Sequence, residues 1–252
     1  MKFFNIKQIS NEEVELRIDG DIVPDDYAWL YEWFGDPYTA PNQFRDELKK
    51  YDGKNITVWI NSNGGDVIAG CALYNALMEH KGVITVKIDG IAASAASVVA
   101  MAGKVVLMSP ASLIMGHNPW THASGDVQEL EKGIMALNAC KEIIINAYEK
   151  KTKISRDDLS KMMNNEFWLT PQEAVKMGFA DGMLYEDEEP RDYKNMITGA
   201  KLLFNSLGKE RMFAALKRPA PPEPNQKTDP KTLNTGEIAN QYDKLYKLKT
   251  WQ

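Results

Sequence analysis

Residues 90–97, GIAASAAS, constrain this chain more than any other stretch. Almost every side chain in them is small, so backbone can pass close to backbone there. The preceding ITVKIDG alternates β-branched and polar residues and predicts a strand, and the following AASVVAMAG predicts a buried helix. Ser94 falls at the junction. A serine between strand and helix can offer its hydroxyl to a substrate while the next backbone N–H, that of Ala95, points at the same spot. A small-residue turn that merely lets two backbones cross has the same composition. The stretch alone leaves both readings open.

Two further segments bear on the choice. Residues 61–65, NSNGG, follow the strand-like ITVWI and precede the helical pattern DVIAGCALYNALMEH. Adjacent glycines permit positive φ and close approach of another chain. They also leave N–H groups unshielded, which suits an oxyanion. A simple tight turn capped by Asn61 or Ser62 fits the same residues. The third segment, 112–119 (SLIMGHNP), is an apolar strand that ends in His117 before a proline-fixed turn. A histidine opening into a loop can serve as a general base or be purely structural.

Taken together, the order strand–NSNGG–helix, strand–GIAAS–helix, strand–MGHNP–long helix resembles the proteolytic subunit of the Clp protease. The nearest likeness is to the ClpP-related head-maturation proteases of tailed phages and prophages. It runs from about residue 14 to 181, through INSNGGDVIAGCALYNAL, IDGIAASAASVVAMAG, IMGHNPW and FWLTPQEAVKMGFAD. Several ordered motifs at coherent spacing are far more specific than any one of them.

The resemblance implies that Ser94 is the nucleophile and His117 its base. It also implies an acid just upstream of an aromatic residue and a Thr–x–x–Glu–Ala–Val helix start. Anchoring that start on Thr170, Glu173, Ala174 and Val175 puts Glu166 in the acid position. Typical members have aspartate there, and glutamate is one methylene longer. A misplacement of about 1 Å can cost roughly 10²-fold. Asn165 is the second candidate, because an amide oxygen also accepts from an imidazole N–H. The N–H groups of Gly65 and Ala95 are the implied oxyanion hole.

Composition narrows the remaining classes. A net charge of −5 supplies no argument for nucleic acid or an anionic membrane surface. VVAMAGKVVLM is interrupted by Lys104, so no run reads as a membrane span, and the N-terminal residues lack the apolar core of a signal peptide. The expected location is the cytoplasm, or the host cytoplasm or procapsid for a phage protein. No metal-ligand spacing or phosphate-binding glycine motif occurs, so no cofactor and no metal is expected. Cys71 and Cys140 are expected as buried, reduced packing residues, His80 as a solvated helix end, and His122 at the surface.

The fold class expected is α/β. The alternation of strand, turn and helix supports it, and the resemblance specifies a ClpP/crotonase-like spiral of ββα units with a projecting handle helix. Residues 1–190 are expected as the protease domain, 191–217 as a helical extension, and 218–252, rich in proline, as a flexible tail. Within 126–153, Leu130, Ile134, Leu137, Ile143, Ile144 and Ala147 form an apolar stripe. Stripes of this kind are ordinarily core, but the family's handle joins two rings here. The resemblance therefore implies a homo-oligomer, a heptameric ring or double ring.

The function expected is that of a serine endopeptidase acting on polypeptides, processing phage capsid or scaffold proteins. The alternatives are a housekeeping Clp peptidase fed by an ATP-dependent unfoldase, a degenerate ring scaffold, and a crotonase-type acyl-CoA enzyme.

Overall fold

The structure, a computed structural model, describes residues 7–8 and 13–185. The expected helical extension 191–217 and tail 218–252 lie outside the described residues. The elements in chain order are β1 (Lys7–Gln8), β2 (Glu13–Ile22), a 3-10 turn (Asp25–Tyr27), α1 (Ala28–Phe34), β3 (Tyr38–Thr39) and α2 (Pro41–Lys49). They continue with β4 (Asn55–Gly65), α3 (Val67–Glu79), β5 (Ile84–Ala93), α4 (Ala95–Ala100), β6 (Val105–Met108) and β7 (Leu113–Gly116). The chain then forms α5 (Val127–Thr152), α6 (Arg156–Asn164), β8 (Phe167–Leu169), α7 (Pro171–Met177) and β9 (Gly182–Met183). The class is α/β, as the alternating pattern predicts. No helix among the described residues is long and apolar enough to cross a membrane.

The described residues fall into two compact units, one holding 7–8, 13–120 and 137–185, the other 121–136. In the first, β2, β4, β5, β6 and β9 run parallel. Alternation sets the register, because a one-residue slip would turn every apolar side chain to the wrong face. The rungs are Val14–Ile56–Ile84, Leu16–Val58–Val86–Val106 and Ile18–Ile60–Ile88–Met108, all buried. Phe44 and Leu48 of α2, Leu73 and Leu77 of α3, and Val98 and Val99 of α4 close over the same cluster. Each such side chain stabilises the fold by about 1.5–3 kcal/mol relative to exposure. In the second unit, the Asp126 carboxylate accepts from the Glu129 N–H (3.0 Å) and Glu129 accepts from the Asp126 N–H (3.1 Å), a reciprocal cap on α5.

Strand β5 is the pivot. Residues 85–88 pair with β6 and residues 91–93 with β7, so its two halves serve different neighbours. Gly90 marks the division. A Cβ there would meet Asn61 Oδ1 at 2.3 Å, and that same oxygen accepts from the Ile91 N–H. β8 adds antiparallel to β7, with Gly116 opposite Phe167.

The positive φ and close approach read from NSNGG are present: Gly64 and Gly65 take φ 91° and 146° within β4, with Asp21 opposite Gly64 and Ile22 opposite Gly65, so a simple tight turn is set aside. The edge of β2 supplies pairing that outweighs the low strand propensity of glycine. Strand β2 carries a bulge at Gly20 (φ 75°), where its pairing register with β4 shifts. His80 is half-buried, not solvated, and a ring nitrogen sits 2.7 Å from the Lys54 carbonyl oxygen. Cys71 and Cys140 are free and only half-buried.

Candidate active site

Strand β5 passes straight into α4 through Ser94, whose backbone adopts φ 52°, ψ −123°. Only glycine takes that region without strain, so a serine held there carries a cost of order 1–3 kcal/mol that the surroundings must offset. They do so on both sides. The Ser94 N–H donates to the Met115 carbonyl of β7 at 2.9 Å, and the Ser94 carbonyl accepts from the Ser97 N–H at 3.0 Å. The side chain is thereby lifted off the sheet and makes no helix-capping bond. All six residues of α4 are buried, which fixes the helix behind the serine.

His117 is the first residue beyond β7. Its Nε2 lies 2.8 Å from Ser94 Oγ. For that nitrogen to accept the hydroxyl proton, the neutral ring carries its own proton on Nδ1. Burial of the ring pushes its pKa below the usual histidine value, partly opposed by the charge of Glu166. The imidazole is accordingly neutral at pH 7 and free to accept a proton.

Glu166 reaches the same place by strand register. Gly116 and Phe167 are opposed in the β7–β8 ladder, so one step outward brings His117 beside Glu166. The residue has φ 52° and follows the end of α6. Its carboxylate does not hydrogen-bond His117; Oε1 accepts from Trp168 Nε1 at 3.0 Å. Its influence on the imidazole is through space. Asn165, the second candidate, is exposed and turns back to donate to the Lys161 carbonyl at 3.0 Å. His122 is exposed.

The two backbone donors fall as follows. Ala95 N–H opens α4, where no intrahelical acceptor exists for it. Gly64, rather than Gly65, is the glycine that meets the serine: a Cβ on it would lie 2.8 Å from Ser94 Cβ, 2.8 Å from the Ala95 nitrogen and 2.5 Å from the Ala93 oxygen. Its own N–H is taken by Ser62 Oγ at 3.1 Å. The next donor along the chain is that of Gly65, whose Cα faces the Ile22 carbonyl on β2. The glycine pair thus has divided duties, one admitting Ser94 and one admitting β2.

Sequence reasoning did not single out Gly64 or Trp168. The spacing Glu166–Trp168, two residues apart entering a strand and hence on one face, was a usable signal. Asn118, next to His117, donates through Nδ2 to Asn164 Oδ1 at 3.0 Å, while its buried Oδ1 has no protein partner among the described residues.

A nucleophile, a neutral base and main-chain donors within one small region can carry out acyl transfer. Comparison with known proteins leads to the same chemistry. The family profile described as Clp protease matches residues 47–187. The ATP-dependent Clp protease proteolytic subunit of Bacteroides fragilis is 31% identical over 155 residues, 59% of this chain and 74% of that protein. The same subunit of Deinococcus radiodurans is 30% identical over 156 residues, 60% and 76% of the two chains. Subunit 1 of Chlamydia pneumoniae is 30% identical over 164 residues, 61% and 85%. Among solved structures, a ClpP1 point mutant from Listeria monocytogenes superposes with a TM-score of 0.56 at 23% identity, covering 68% of this chain and 90% of that one, a likeness of fold. The chain belongs to the Clp protease family, and through that family it is a serine-type peptidase.

Proposed function

We propose that the protein is an endopeptidase in which Ser94 attacks the peptide carbonyl, His117 acts as base and acid, and Glu166 stabilises the imidazolium. The 2.8 Å contact between Ser94 Oγ and His117 Nε2 carries this reading. His117 Nε2 takes the Oγ proton as Oγ bonds to the carbonyl carbon, and the N–H groups of Ala95 and Gly65 receive the oxyanion. The imidazolium then protonates the departing amine, leaving an acyl-serine. Water, deprotonated by the same imidazole, releases the acid and restores Ser94. Glu166 favours the charged ring at each of these stages without a direct hydrogen bond, so its share is electrostatic.

The substrate in this reading is a polypeptide of a phage capsid or scaffold, cleaved inside a heptameric ring or double ring. The stretch GDPYTAPNQF and the residues beyond the family match, 188–252, support a specialised role. Bare apolar residues on the first half of α5, Val127, Leu130, Ile134 and Met135, support assembly. A housekeeping role beside an ATP-dependent unfoldase is the second reading, favoured by the names of the relatives.

Labelling with a fluorophosphonate tests the core of the proposal: adduct on Ser94 is expected, and an unlabelled assembled protein overturns it. Incubation with a scaffold or major capsid protein, with and without an ATPase, separates the two readings. Cleavage at few sites without ATPase is expected; degradation that requires ATP selects the housekeeping role.

A further inference from the structure

Ser97 and Tyr148 are fully buried hydroxyl residues that the mechanism above does not use. Buried polar groups need partners, and these two have each other at 2.7 Å. Ser97 Oγ also lies 2.6 Å from the Ser94 carbonyl oxygen. A carbonyl only accepts, so the single Ser97 proton must go to Ser94. Tyr148 is then left as the donor to Ser97. The relay runs one way, from the Tyr148 O–H to Ser97 and from the Ser97 O–H to the Ser94 carbonyl. Burial pushes the phenol up to about 12, so it keeps its proton.

Tyr148 stands on α5 and its ring packs edge-on against Phe167 (5.9 Å) and Phe179 (5.4 Å). Gly116, which precedes His117, lacks a Cβ that would fall 2.9 Å from the Tyr148 hydroxyl. One side chain therefore abuts the residue before His117, the residue after Glu166, and the relay to Ser94.

What the relay grips decides its use. The Ser94 carbonyl and the Ala95 N–H belong to one planar trans peptide unit, and they point in opposite directions. Three donors converge on that carbonyl: the Ser97 N–H (3.0 Å), the Val98 N–H (3.4 Å) and the Ser97 hydroxyl. Rotation of this peptide would leave Ser94 at φ 52° but move ψ from −123° toward the αL region, easing part of the strain, and it would also carry the Ala95 N–H away from the reacting carbonyl. Donation to the oxygen end also polarises the unit and makes its N–H a stronger donor.

We propose that Tyr148 and Ser97 are positioning residues that lock the Ser94–Ala95 peptide so that its N–H faces the developing oxyanion. The inference rests on the peptidase reading above. It separates from mere core filling, because Tyr148→Phe keeps the ring and Ser97→Ala keeps nearly the whole volume.

The test compares wild type, Ser97→Ala, Tyr148→Phe and the double variant, using kcat, KM, affinity for a peptide aldehyde that adds to Ser94, and affinity for a cleaved product peptide. Loss of one oxyanion-directed interaction is expected to lower kcat about tenfold in Ser97→Ala, with KM and product affinity within about twofold. Aldehyde affinity should fall in step with kcat. The double variant should be no worse than Ser97→Ala, since both residues act through one relay. Unchanged kcat and aldehyde affinity in Ser97→Ala and the double variant overturn the proposal. Equal loss of aldehyde and product affinity also overturns it, as that marks general damage. If a single variant fails to fold, the double variant, which orphans no buried hydroxyl, carries the test. A wild type that no fluorophosphonate labels removes the peptidase reading, and this inference with it.

Discussion

The Ser94 N–H donates to the Met115 carbonyl at 2.9 Å, so the residue bearing the hydroxyl is pinned to the strand that presents His117 two residues later. One main-chain bond thus sets the spacing of two side chains 23 positions apart in sequence. The proposed Ser94–His117 geometry is expected to fail when the β5–β7 pairing fails.

The His117 ring titrates below the ordinary histidine range because burial disfavours its cation, and Glu166 opposes that shift. Activity is expected to rise with pH along a limb centred below the ordinary histidine range. Glu166→Gln removes the opposing charge, so the limb should move to still lower pH while kcat falls on the order of 10²-fold. That loss is smaller than the roughly 10⁴-fold cost of changing a directly bonded triad acid. A pH–rate profile of both proteins checks this, and a limb that moves upward contradicts it. The sign for stability is the same. A histidine depressed in the fold binds its proton more readily when unfolded, so its contribution is full above 6.5 and declines as pH falls through that value toward the folded pKa.

Ser94→Ala and Ser94→Gly both lose the hydroxyl, and each should lower turnover by about 10⁶-fold. They differ in backbone. At φ 52°, ψ −123° alanine keeps the strain and glycine relieves it. Ser94→Gly is expected to be more stable than Ser94→Ala by about 1–2 kcal/mol. Thermal unfolding of the pair measures it, and equal midpoints would show that the elbow carries no strain.

Much of this was legible beforehand, for identifiable reasons. Ser94 and His117 each close a strand pattern, but either motif alone left a structural reading open, and the resemblance singled them out. Glu166 came from the resemblance, counted back from the Thr170–Glu173 helix start, where Thr170 Oγ1 accepts from the Glu173 N–H at 3.3 Å. NSNGG announced positive φ and close approach, and left a tight turn open because glycine pairs ordinarily signal turns; pairing with β2 keeps both glycines in the strand. Gly64 against Ser94, and Tyr148 against Ser97, join positions 30 and 51 apart. Contacts at such separations leave no periodic trace in one sequence.

Gly64→Ala tests the close approach. The added methyl would sit 2.5 Å from the Ala93 oxygen and 2.8 Å from the Ala95 nitrogen, both main chain, so nothing flexible can yield. Gly35, at φ 71° with nothing within 4 Å, isolates the conformational cost alone. Gly35→Ala should cost about 1 kcal/mol and leave labelling of Ser94 intact. Gly64→Ala should cost several times more and abolish labelling. Chemical denaturation with parallel fluorophosphonate labelling decides, and a fully reactive Gly64→Ala would show that the two segments can separate without harm.

The apolar stripe of α5 divides in two. Ile144 and Ala147 are buried with Ile145 and Tyr148, whereas Leu130, Ile134 and Ile143 are exposed, Ile134 at 58%, alongside Met135 at 70%. These exposed apolar side chains suit a contact surface, and in the proposed ring a second copy would cover them. Ile134→Glu with Met135→Glu is expected to reduce the sedimenting species to a smaller assembly or monomer without changing helical content. Exposed positions carry little of the monomer's own stability, so unfolding of the dissociated form should be otherwise ordinary. Sedimentation velocity reads the size and circular dichroism the fold. An unchanged sedimentation coefficient would remove this face from the assembly interface, while leaving the Ser94–His117 chemistry to stand on its own geometry.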